Sequence, residues 1–255
     1  NVGAYAAREP GTLGSNLKIS VCSNSTAFGP HSMSGNLVND NSAAIGDTTI
    51  TVDDGSLTQV GDILEFGDTS NVPSTDGAPS GFFYKVTSIS THVLTIARFN
   101  PATGQTESGG LRHAVVDNAK FLRHWEYYFN FSAAPTSTDD VVNAGGSNDE
   151  IHIVVVDEDG GISGTKGEVL ETYDAVSKGS DAKTPQGDTN YYPDVIYNKS
   201  NYIYWMDHNA SGSNWGSAVA GTTFTAVTTI SNVSLSNGSD GSAATTAQKL
   251  TAYQK

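Results

Sequence analysis

Cysteine and basic residues are scarce in this chain, and each scarcity excludes something. Cys22 is the single cysteine among 255 residues, so no internal disulfide can form. It closes the apolar run Leu17–Cys22, which marks it as a buried structural thiol rather than a reactive one. Thirteen Lys plus Arg stand against 27 Asp plus Glu, a formal net charge of -14. Such a surface repels phosphate backbones and anionic headgroups, so no nucleic acid and no membrane is expected as a partner. The charge itself serves solubility. No apolar stretch approaches the roughly 18 residues of a membrane span, and no charged-then-apolar leader is visible. The chain opens on Asn1 rather than Met and ends on Lys255. The expectation is a fragment cut from a longer protein, with a tryptic cleavage after Lys255 as one origin.

What the chain has in quantity is turns and aromatic rings. The 27 glycines, with abundant Ser, Thr, Asn and Asp, favour short strands over long helices. Eleven Tyr, nine Phe and three Trp supply core volume that a hydrophobic content of 37% leaves short. The length suits one large domain or two modest ones.

Pro10-Gly11 and Gly14-Ser15-Asn16 make two turns before the strand Leu17–Cys22, and residues 23–44 read as a polar linker. Short β-branched segments follow at Thr49–Val52, Ile63–Phe66, Phe82–Ser90 and Val93–Arg98, separated by close turns. Residues 121–131 read as extended, with Trp125, Tyr127, Phe129 and Phe131 alternating onto one aromatic face. That periodicity favours a core face over a sugar-stacking platform. Residues 132–148 read as linker. Ile151–Val156 is the clearest strand, because consecutive valines disfavour helix and fit a pleat. Asp159-Gly160 turns it toward a second strand at Glu168–Tyr173. A short helix is expected to start at Pro193, strands at Tyr202–Met206 and Phe224–Val233, and a final helix from Thr245 to Lys255.

The fold class expected is mainly β with a few short helices (α+β). An antiparallel β-sandwich-like framework, residues 1–44 and 111–255, carries an inserted small antiparallel β-barrel at residues 45–110.

Chemistry-bearing patterns are sparse. His31, His92, His113, His124, His152 and His208 show no zinc-binding spacing, and His152 is expected on the exposed face of its strand. No G-x-S-x-G elbow and no phosphate loop occurs. Asp157-Glu158-Asp159-Gly160-Gly161 offers hard oxygen ligands but lacks the ligand rhythm of a calcium loop, so it reads as a hairpin turn with solvated charges. Asn237–Gly241 reads the same way. No catalytic, cofactor-binding or metal residue is assigned, no cofactor is expected, and the chain reads as non-enzymatic.

The order of four stretches is similar to the middle region of contractile-tail sheath proteins of T4-like bacteriophages. They are Ala7–Val21; Ile151–Ile162 with Gly167–Ser177; Tyr192–Ile203; and Val233–Gly241 with Ala247–Tyr253. Residues 45–99 resemble a small β-barrel that recurs in phage structural proteins, marked by Val60-Gly61-Asp62 and Leu94–Arg98. The T4-type member carries its outermost domain elsewhere in its chain. The resemblance implies a middle or outer, protease-resistant part of a sheath subunit, whose assembly contracts to drive the tail tube through the host envelope. It implies other sheath subunits as partners of the full-length protein, a fragment that is monomeric by itself, tube and baseplate contacts through regions outside this chain, and a place in the virion tail after assembly in host cytoplasm. Two alternatives stay open: a β-rich phage or cell-surface adhesin, and a β-sandwich hydrolase or lyase using Asp157 and Glu158.

Overall fold

The computed structural model describes residues 3–73 and 78–242. The expected helix from Thr245 to Lys255, and the resembling stretch Ala247–Tyr253, lie outside the described residues. The chain begins with β1 (Tyr5–Ala7), β2 (Leu17–Cys22) and the single turn α1 (Ser25–Phe28). A second module follows, with β3 (His31–Ser32), β4 (Thr49–Thr51), β5 (Ile63–Phe66), β6 (Phe83–Ser90), β7 (Val93–Asn100), β8 (Gln105–Glu107) and β9 (Phe121–His124). The first module then resumes with α2 (Asp139–Asn143), β10 (Glu150–Asp157), β11 (Glu168–Ser177), α3 (Tyr192–Lys199), β12 (Ile203–Trp205) and β13 (Ser231–Ser234). The architecture is mainly β with antiparallel sheets.

The framework is built on β10. It lies between β11 and β2 in the order β11-β10-β2-β13, and every pairing is antiparallel. Ile151, Ile153 and Val155 enter a core with Ile19, Tyr192, Ile196 and Ile203, beneath α3 and the β1–β12 pair. Val154 and Val156 enter the opposite core with Cys22, Phe28, Trp125 and Tyr127. A strand covered on both faces has no solvent side, which is why its apolar residues run on without alternation. His152 is therefore buried, not exposed as its sequence position implied. The helix α3 starts with Pro193 in its first turn, where no amide partner is lost, and buries Val195 and Ile196. Asp194 at its start and Lys199 at its end match the helix dipole.

The second module is a sheet in the order β3-β9-β5-β6-β7-β4, with β8 on β7. Its two ends are joined by residues 37–39. Asn39 N–H donates to Thr51 and Asp53 N–H to Leu37 on one side, while Val38 N–H donates to Ala119 and the Val38 carbonyl accepts from Asn118 N–H on the other. Ile50, Leu64, Phe66, Tyr84, Val86 and Phe121 fill the interior. The expected limits 45–110 were too narrow. The sheet draws β3 and β9 from outside them, and Val38, Val115 and Phe121 are part of the same core. A sheet this small buries its apolar face only by curling, and the flanking residues complete the wrap.

Two further readings change. Residues 121–131 are extended only as far as His124, and Tyr128–Asn130 forms a 3-10 turn. Residues 222–230 are mostly irregular before β13. The linker at 132–148 contains α2, capped by the Thr138 hydroxyl, which accepts from Val141 N–H.

Candidate functional site

A concentration of ionisable groups lies where the chain leaves the second module and re-enters the framework, at residues 123–127. Trp125 anchors this crossing: its indole N–H donates to Ser20 Oγ at 3.0 Å, and its backbone N–H donates to Phe28. The turn at Tyr128–Asn130 breaks the aromatic stripe in two. Phe129 packs on Phe83 and Phe99 of the second module, while Phe131 stacks on Trp125 and His152 of the framework. Trp125, Tyr127 and Phe131 thus serve as framework core, while Phe129 is half-buried and packs outside it.

Glu126 sits between them. Lys85 Nζ of β6 reaches Oε1 at 2.6 Å, and Lys18 Nζ of β2 reaches Oε2 at 3.0 Å. Burial opposes the charge, but Lys85 and Lys18 outweigh it and hold the carboxyl below its usual range. Gly61 passes against this carboxylate at φ +100°, where a Cβ would lie 2.7 Å from Glu126 Oε2. Beside it, Asp62 is buried 3.6 Å from Arg123, whose guanidinium also donates to the carbonyls of Thr26 and Ala27. Burial, stronger here than the pull of Arg123, pushes the Asp62 carboxyl up to about 6. His124 lies 3.4 Å from Glu65, whose other oxygen accepts from Gly81 N–H.

The histidines are dispersed. His31 is half-buried near Arg123, His92 accepts from Gly55 N–H in the β6–β7 turn, and His113 packs against Phe82. His208 meets the Tyr192 hydroxyl at 2.6 Å. Among the described residues, no three His, Cys, Asp or Glu side chains lie close enough to hold a metal ion.

Asp157 departs from its expected role. It is buried, and its carboxylate accepts from the amides of Gly160, Ile162 and Ser163 and from the Ser163 hydroxyl. Burial raises the carboxyl, but these bonds outweigh it and hold the group ionised below its usual range. The charge is thus consumed in shaping the hairpin, not solvated, while Asp159 is the exposed partner of Lys166. Asp240 is similarly engaged, accepting from the amide and hydroxyl of Thr12. Cys22 is buried and its thiol is pushed up to about 12, chiefly by burial.

Sequence reasoning passed over one further group. Lys178 is fully buried, donates to the Asn148 carbonyl at 2.7 Å and lies 5.2 Å from the Trp215 ring centroid. Burial lowers its ammonium to about 8 against the pull of Asp149. No periodicity distinguishes a lysine between Ser177 and Gly179 from a surface one.

In comparisons with family models, curated proteins and solved structures, none matches the chain.

Proposed function

We propose that this chain is a non-enzymatic structural part of a contractile bacteriophage tail sheath. Its partners are other sheath subunits in a helical assembly of the full-length protein. The tail tube and baseplate are met through regions outside this chain. Its place is the virion tail, reached after assembly in the host cytoplasm.

The observation that carries the reading is the way the two modules are fastened. Lys18 of the framework and Lys85 of the barrel share one largely buried carboxylate, and Trp125 ties the crossing strand to β2. A body of this kind rotates as a unit when neighbours slide past it, because packed interiors resist continuous deformation. A sheath subunit that must reorient without refolding needs that property. The ordered stretches Ala7–Val21, Ile151–Ile162 with Gly167–Ser177, Tyr192–Ile203, and Val233–Gly241 with Ala247–Tyr253 support the same reading.

The test is electron microscopy of tailed particles from the source phage, labelled with an antibody raised against this chain. Decoration along the whole tail, in both extended and contracted particles, is expected. Decoration confined to fibre tips would sink the proposal in favour of an adhesin, and unlabelled particles would remove the chain from the virion.

A further inference from the structure

A cavity of about 290 Å³ opens between the two modules, where the barrel residues His31, Met33 and Arg123 face Thr228–Ile230 of the framework. Its charged wall is balanced. Arg123 and Asp62 are both buried there and lie 3.6 Å apart, so neither sign of charge is in excess. Both keep hydrogen-bonding capacity. A guanidinium carries five N–H donors, and Arg123 directs its bonds to Thr26, Ala27 and Asp62. Asp62 accepts from Gln59 N–H through Oδ2, leaving Oδ1 to face Arg123 at a long distance.

The rim has a different chemistry. Ser34, Gln59, Thr228 and Thr229 are exposed, line the opening, and have side chains with no hydrogen-bond partner among the described residues. Each brings both donor and acceptor capacity. Leu57, more than half exposed, and Ile230 add apolar surface to the same walls. Anions are disfavoured, because Arg123 is already compensated and the chain carries a net charge of -14. Cations are disfavoured locally, because Arg123 occupies the Asp62 carboxylate. An uncharged ligand with many hydroxyls and an apolar C–H face meets every wall.

We propose that this cleft binds a neutral hexose, either free or as the terminal unit of a glycan. The ligand touches both modules, so its binding adds a bridge across their junction.

Saturation-transfer NMR and calorimetry on the full chain, with glucose, galactose and mannose as probes, test this. At least one is expected to bind with a Kd of about 1 mM, as suits a small uncharged ligand with a few polar contacts. The double variant Gln59→Ala, Thr229→Ala should keep the parent Tm, since both side chains are exposed and unpartnered. Its binding should weaken about tenfold or more, the loss of roughly two hydrogen bonds. A printed array of neutral glycans separates the sources: signal on terminal hexoses alone assigns the glycan, and signal with free sugar too assigns the hexose itself. No saturation transfer from any of the three at about 20 mM, well above the expected Kd, overturns the proposal. So does unchanged affinity in the double variant, or tighter binding of glucuronate than of glucose.

Discussion

Lys18 and Lys85 come from different modules and end on the same carboxylate, one on each oxygen of Glu126. Among the described residues neither lysine has another ion-pair partner, so the ionic link across the junction depends on a single side chain.

Replacing Glu126 by Gln leaves two lysines, each largely covered, facing an uncharged amide. Removing one member of a buried ionic group costs about 3 kcal/mol, because the remaining charge is uncompensated. Urea unfolding at pH 7 should show that loss. Because the folded carboxyl titrates below its usual range, its contribution is present above about pH 4.3 and fades as pH falls through the lowered value. The Gln variant should therefore lose less stability than the parent on acidification. A variant that unfolds at the parent's urea midpoint at pH 7 would show that the junction is held by packing alone.

Gly61 is required by the same carboxylate. An alanine there meets two obstacles: a φ of +100°, and a Cβ 2.7 Å from Glu126 Oε2. Gly104 shares the positive φ, at +70°, but has open space around it. Gly104→Ala is expected to cost about 1 kcal/mol from backbone strain alone. Gly61→Ala should cost about 2 kcal/mol or more, because the strain is joined by displacement of the carboxylate. Thermal unfolding of the two variants side by side measures the difference, and equal Tm values would remove the steric argument.

The framework was legible where local chemistry is strong. The valines at 154–156 identify β10, Asp159-Gly160 its turn, and Pro193 the start of α3. The second-module strands from Ile63 to Asn100 were legible through their β-branched residues. What escaped depends on distant partners. The two residues of β3 and the segment 37–39 are too short to carry a pattern amid Ser, Asn and Gly. Glu126 finds its lysines 108 and 41 residues away in the chain. His152 was misplaced because alternation presumes one wet face, and the cover on the second face arrives from residues 125–131.

Asp157 shapes its hairpin through four hydrogen bonds to residues 160–163. Asp157→Ala leaves those donors without their acceptor and is expected to cost about 2–3 kcal/mol, in the range of bonds to a charged group. Hydrogen exchange should speed at Gly160, Ile162 and Ser163 while β2 stays protected. Uniform acceleration across β10 and β2 would mean that the carboxylate supports the whole sheet, not the turn.

His152 lies flat on Phe131, ring centroids 4.3 Å apart and 5° from parallel, and both its nitrogens are engaged. The Ala133 carbonyl can only accept, so Nε2 carries the proton, and Nδ1 receives Ala175 N–H at 3.0 Å. Protonating Nδ1 would displace that amide inside the core. Burial lowers the ring's proton affinity, and the pulls of the Ala133 carbonyl, Asp174 and Glu150 do not restore it. The unfolded chain therefore takes up a proton below about pH 6.5 that the folded chain refuses, and stability falls as pH drops from about 7 to 5. His31, His113 and His208 are lowered in the same direction, so they share this slope. His152→Leu should reduce the slope without abolishing it, and cost about 2 kcal/mol at pH 7.5 for the amide and carbonyl left unpaired. Urea unfolding at pH 7.5 and 5.5 measures both quantities. NMR titration of the parent should find this ring titrating below the ordinary histidine range, and a ring half-charged at or above its ordinary value would contradict the argument.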